Sequence, residues 1–185
     1  LKMWAKLLLL FFVFSFLLKA DLSFDQDLGR HIRLGEIIAQ THQVPRINLF
    51  SYTNPDFPFI NTHWLFEALA YFFAQTGTLQ IFLILKIVIF LLSILLILKV
   101  IPKENQALAL PIGFIMFHVL RERLSLRPEI FSFLFTALTL YILEKSKKKY
   151  LFFLPIIQII WVNTHIYFFV GLLLQTIFLV AERTK

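Results

Sequence analysis

The chain has 185 residues, 59% of them hydrophobic, with 23 phenylalanines and a formal net charge of +7. A mean hydropathy of +0.79 is more apolar surface than a water-soluble domain of this length can bury, so lipid is expected to solvate the excess. Cysteine is absent, which excludes disulfides, iron–sulfur clusters and thiolate zinc sites, and leaves carboxylates and histidines as ligands for any divalent metal ion. No glycine-rich phosphate loop or Ser-His-Asp arrangement points to a cytosolic NTPase or a hydrolase. Apart from Lys86, inside the run at 78–101, the positive charge lies at the ends of the apolar runs or in the segments around them, which assigns it to membrane loops and lipid, with no nucleic acid as partner.

The expected fold is all-α: a polytopic membrane helical bundle of about six spans, with amphipathic helices in a long first extracytoplasmic loop. The spans are placed at 4–19, 78–101, 107–120, 130–144, 150–162 and 166–181, and the loop at 20–77. Of the runs behind these spans, only Thr78–Ile101 holds the ~20 apolar residues that a crossing normally takes, so the others must tilt, recruit flanking residues or sit among partner helices. The first run lies behind Lys2 and Lys6 as a secretory signal would. Leu17-Leu18-Lys19-Ala20 makes a poor cleavage site, and an anchor is the preferred reading. The chain opens on Leu1 and ends behind an apolar stretch, which reads as the N-terminal part of a longer protein.

Charge sets the orientation. With a cytoplasmic N-terminus, nine of the eleven lysines fall inside, including Lys145, Lys147, Lys148 and Lys149, whereas six of the seven arginines fall outside; the lysines obey the positive-inside rule. The histidines 31, 42, 63, 118 and 165 also fall at or near the outer face. A guanidinium grips phosphate through two parallel hydrogen bonds and desolvates more readily than an ammonium. Arg121, Arg123 and Arg127, in the turn before the span at 130, therefore suit a phosphate. Anchoring of helix ends to headgroups, with Glu122 and Glu129 as partners, is the competing role.

In the first loop, Asp25-Gln26-Asp27 leads into a helix over 28–40 for which Asp27 is the expected cap. Its apolar residues Leu28, Ile32, Leu34, Ile37 and Ile38 suggest that it lies along the interface. Two carboxylates so close together share a metal, hold a poised base, or cap the helix. His31 comes one turn after Asp27, so an Asp27–His31 pair is available to orient a general base. Pro45, Asn54-Pro55 and Pro58 punctuate an extended stretch. A second helix is expected from about Asn61 to Gln75, with His63, Glu67 and Tyr71 on one face and a possible His63–Glu67 pair.

The run Asp25-Gln26-Asp27-Leu28, His31, Gly35, Val44-Pro45, Phe50-Ser51-Tyr52-Thr53, Pro58, Asn61, Trp64-Leu65 and Glu67 resembles the first extracytoplasmic loop of bacterial GT-C-type membrane glycosyltransferases. These are the enzymes similar to dolichyl-phosphate-mannose–protein mannosyltransferases and to Rgt-type lipopolysaccharide sugar transferases. Arg127-Pro128-Glu129-Ile130-Phe131-Ser132 and Trp161-Val162-Asn163-Thr164-His165 are similar to two further segments of that group. The resemblance implies an enzyme of the bacterial cytoplasmic membrane that moves a sugar from a polyprenyl-phosphate donor to an extracytoplasmic lipid, glycan or protein acceptor. It implies Asp25 or Asp27 as the catalytic base or a metal ligand; beside them His31 is the further catalytic candidate, and Arg121, Arg123, Arg127, Glu67, His63 and His165 are the substrate-binding candidates. The sequence departs from the pattern at Asn61-Thr62-His63-Trp64, where Asn-His-Glu-Trp is expected, so the second carboxylate falls to Glu67 or Asp56. A non-catalytic membrane protein that binds or transports anionic lipid is the alternative, its arginines on headgroups and its carboxylates capping helices.

Overall fold

The structure is a computed structural model and describes residues 3–19, 26–54, 56–119, 125–145 and 147–183. It is 77% helical, with no strand among the described residues beyond an isolated bridge between Ile47 and Pro58. Among the described residues eight α-helices follow in order: α1 Met3–Lys19, α2 Gln26–Thr41, α3 Trp64–Gln75, α4 Leu79–Val100, α5 Ala109–Val119, α6 Glu129–Lys145, α7 Phe153–Val162 and α8 Phe168–Arg183. Short 3₁₀ segments, Lys103–Leu108 and Lys148–Phe152, lead into α5 and α7.

Helices therefore form at each of the apolar runs, but their lengths differ from the six expected crossings. Among the described residues α4 alone, with 22 residues and a window hydropathy of 3.3, is long and apolar enough to cross a membrane. Helices α5 and α7 hold only 11 and 10 residues, about 15–17 Å at 1.5 Å per residue.

The core gathers around α4. Phe82, Ile87, Ile89, Phe90 and Leu98 meet Leu9 and Val13 of α1, Leu28 of α2, Phe66 and Ala70 of α3 and Ile130 of α6. Phenylalanine rings tie the layers: Phe73 stacks on Phe82 at 4.8 Å, and Phe90 lies 5.3 Å from Phe133. Lys86, in the middle of α4, is one of the most buried side chains. Away from this core the surface stays apolar, with Ile112, Phe114, Ile115 and Met116 on α5 and Leu172, Leu173, Ile177, Leu179 and Val180 on α8 all exposed.

The helices α2 and α3 make a tightly packed pair, and their contacts advance in the same sense along both. His31 meets His63, Phe66 and Glu67, and one turn later Gly35 meets Glu67 and Tyr71. The two helices thus run side by side in one direction, which requires a long return; segment 42–63 supplies it, passing through a positive φ of 55° at His42. Close approach needs Gly35, since a methyl there would lie 2.6 Å from the Glu67 carbonyl carbon and 2.7 Å from Tyr71 Cβ.

Three local expectations are corrected. Helix α2 starts at Gln26, so Asp27 stands in its first turn rather than at its cap. Leu28, His31 and Leu34 are buried, so that face packs on α3 and the core instead of lying along an interface. Helix α3 starts at Trp64, three residues later than expected, because Asn61 Oδ1 takes the His63 backbone N–H in a turn ahead of the helix.

Candidate functional site

A polar cleft of about 120 Å³ opens where α2, the start of α3, the turn before α6 and the α7–α8 turn converge; Asp27, Arg30, His31, His63, Arg127, Pro128, Glu129 and His165 line it. Four segments far apart in the chain supply these side chains, and specific hydrogen bonds bring the segments together. The Trp64 indole N–H donates to Asn163 Oδ1 at 2.7 Å, and the Leu65 N–H donates to the Asn163 carbonyl at 3.0 Å. This clamps the start of α3 to the α7–α8 turn and sets the His63 and His165 rings 5.4 Å apart. On the other side, the Arg127 guanidinium reaches Asp27 Oδ2 at 3.4 Å, and Arg30 lies 4.0 Å from Asp27 Oδ1. That ion pair joins the first loop to the turn before α6, across one hundred residues of sequence.

Beneath the cleft lies a buried polar chain. His31 Nδ1 pairs with Glu67 Oε1 at 3.3 Å, and Asn61 Nδ2 donates to Glu67 Oε2 at 2.5 Å. His31, Asn61 and Glu67 are all buried, Glu67 with only 1% of its surface exposed. A carboxylate taken this far from water must be hydrogen-bonded, and here both oxygens are. On the α6 side the Trp161 indole donates to Ser132 Oγ at 2.8 Å, and Ser132 Oγ contacts His165 Nδ1 at 2.8 Å. Trp161, Ser132 and His165 are buried too.

Burial weakens two of the imidazoles as bases. His63 is lowered from 6.5 to about 4, chiefly by desolvation and then by His31. His165 is lowered to about 4 as well, by desolvation first and then by His63 and His31. Both are therefore neutral at pH 7, while Arg30 and Arg127 bring guanidinium groups to the cleft and Asp27 and Glu129 bring carboxyl groups.

Of the residues singled out from the sequence, the fold brings Asp27, His31, His63, Arg127 and His165 to one cleft. Glu67 does not line it; it sits below and holds His31. His31 contacts Glu67, and Asp27 contacts Arg127 and Arg30, while Glu67 also acts electrostatically on His63. Asp56 is exposed and apart from the cleft. Asp25, Arg121 and Arg123 lie outside the described residues. Among the described residues no group of three or more histidines and carboxylates is placed to hold a metal ion.

Sequence reading did not single out Arg30, Asn61, Ser132 or Trp161 for a role. The available signal was polarity out of place, since Ser132 stands among phenylalanines and leucines. Chain position alone could not say which histidine it serves. A second, apolar cavity of about 800 Å³ lies between α1, α4, α5 and α6, toward the C-terminal half of α4.

Among the described residues the chain is helical, with exposed apolar faces on several helices and a polar cleft lined by histidines, arginines and carboxyl groups. No family model, no curated protein and no solved structure matches it.

Proposed function

We propose that this chain belongs to a GT-C-type glycosyltransferase of the bacterial cytoplasmic membrane, N-terminus inside. It transfers a sugar from a polyprenyl-phosphate donor to an extracytoplasmic acceptor at the cleft on α2, α3, α6 and the α7–α8 turn. The observation that carries the reading is the Asp27–Arg127 contact across the cleft. It unites the two chain segments on which sugar transfer with a phosphate leaving group would depend, a first-loop acid and a cationic turn. Departure of a phosphate concentrates negative charge that fixed cations stabilise. A guanidinium has five N–H donors, so Arg127 can contact Asp27 and a phosphate oxygen together. A volume of about 120 Å³ admits a phosphate-sized group and a hydroxyl, with sugar and prenyl chain extending beyond it.

The exposed apolar faces of α5 and α8 support insertion of a bundle, since contiguous apolar surface of that kind marks contact with lipid or a partner. With their 3₁₀ leads of 6 and 5 residues, the α5 and α7 hairpin arms run 17 and 15 residues, close to the lower limit of ~17 for a crossing. Membranes containing the overexpressed full-length protein, offered a panel of labelled polyprenyl-phosphate sugars, are expected to transfer label from one of them. Arg127→Ala should raise the donor KM at least tenfold. Absence of transfer from every donor, with anionic lipid still bound, would replace this reading by a lipid-binding one.

A further inference from the structure

The two buried histidines at the cleft are held by chemically opposite partners, and the partners dictate which ring nitrogen carries the proton. An ionised carboxylate only accepts hydrogen bonds. Glu67 Oε2 accepts from Asn61 and Oε1 faces His31 Nδ1 at 3.3 Å, so Nδ1 bears a proton, and in the neutral ring Nε2 is the nitrogen with the lone pair. At His165 the logic reverses. The Trp161 indole only donates, and it occupies Ser132 Oγ. Among the described residues, the remaining partner of that buried hydroxyl is His165 Nδ1 at 2.8 Å, which must accept if the serine proton is to be satisfied. The proton of neutral His165 then sits on Nε2.

We infer that Glu67, braced by Asn61, positions His31 as the proton acceptor of the cleft, and that Ser132 and Trp161 position His165 as a neutral N–H donor to the anionic group. The inference rests on the sugar-transfer reading and decides within it which residue is the base. Both Asp27 oxygens face guanidinium groups, at 3.4 and 4.0 Å, whereas His31 Nε2 has no hydrogen-bond partner among the described residues and a buried carboxyl group stands behind the ring. In the transfer step the acceptor oxygen forms a bond to the anomeric carbon, and its proton passes to His31 Nε2. The bond from the anomeric carbon to the phosphate oxygen breaks, its electron pair leaving with the phosphate, whose added charge meets Arg30, Arg127 and the His165 N–H. The imidazolium formed at His31 is stabilised by Glu67 and returns its proton to water. Two like side chains thus take opposite roles through their surroundings.

His31→Asn keeps an N–H donor for Glu67 and removes the second nitrogen. It is expected to lower the rate of sugar transfer by about 10²–10⁴-fold, with donor KM and the thermal midpoint close to those of the unaltered protein. Glu67→Gln should cause a loss of similar size on its own and none further in the His31→Asn background, because a residue that acts only through His31 has nothing left to position. Near-normal transfer by His31→Asn would overturn the assignment of the base, and additive losses in the double variant would reduce Glu67 to a structural role. If His31→Asn fails to fold, His31→Ala supplemented with free imidazole decides the matter: restored transfer upholds the inference and no restoration overturns it. Failure of the broader reading would look different, as the unaltered protein would transfer no sugar from any donor, and the inference would fall with it.

Discussion

Replacing Gly35 by alanine probes the contact on which the cleft depends. Gly35 lies one turn beyond His31, where α2 touches the backbone of α3 at Glu67. The added methyl would lie 2.6 Å from the Glu67 carbonyl carbon, against about 3.4 Å for ordinary contact, and closer still to the carbonyl oxygen. Relief therefore means separating the helices by about 0.8 Å or more, and no rotamer change helps because the obstacle is main chain. Overpacking of this kind costs ~1–3 kcal/mol, and a clash with backbone belongs at the upper end. Against it stands the gain of ~1 kcal/mol that alanine brings over glycine within a helix. The net expectation is a loss of ~1–2 kcal/mol. Gly29 is the internal control, since it lies on the same helix and a methyl there meets nothing within 4 Å; Gly29→Ala should keep the helical gain of up to ~1 kcal/mol. Thermal unfolding of the purified protein in detergent, followed by tryptophan fluorescence, should place the two variants on opposite sides of the unaltered protein. On the proposed function, sugar transfer should fall by about 10²-fold in Gly35→Ala alone, the penalty of a ~1 Å misplacement. Equal midpoints for the two variants would refute the close packing of α2 on α3.

Two further perturbations test the remaining supports. Asn163→Ala removes the acceptor of the part-buried Trp64 indole and should cost about 1 kcal/mol, the low end for a polar group left unsatisfied because water reaches it in part; Asn163→Asp keeps the acceptor and should recover most of it, as read from thermal midpoints. Stability should also depend on pH through His63 and His165. Their pKa values are lowered from 6.5 to about 4 in the folded state, so between these pH values the unfolded chain binds more protons, and stability rises with pH. The contribution is fully present above about pH 6.5 and is lost as pH falls toward 4. A midpoint that did not decline over that window, or declined equally in His63→Gln/His165→Gln, would contradict the burial of these rings.

Local and one-dimensional features of this protein were readable from its residues. Apolar runs bounded by lysines, prolines and glycines specify helices without reference to anything distant, because helical hydrogen bonds are internal to each segment. The helices at 79–100 and 129–145 fall within a residue or so of the apolar patterns at 78–101 and 130–144. The same local reading located five residues that line the cleft, since charged and imidazole side chains stand out against leucine and phenylalanine. Partnership was decided only by the tertiary structure. Sequence spacing paired Asp27 with His31 and His63 with Glu67, each one turn apart on a single helix. The fold instead packs α2 beside α3 in the same direction, and the register set at Gly35 delivers Glu67 to His31. Asp27 is left to Arg127, one hundred positions away. A helical period states which residues share a face, but which face meets which neighbour depends on where a single methyl fails to fit and where a buried carboxylate finds its donors.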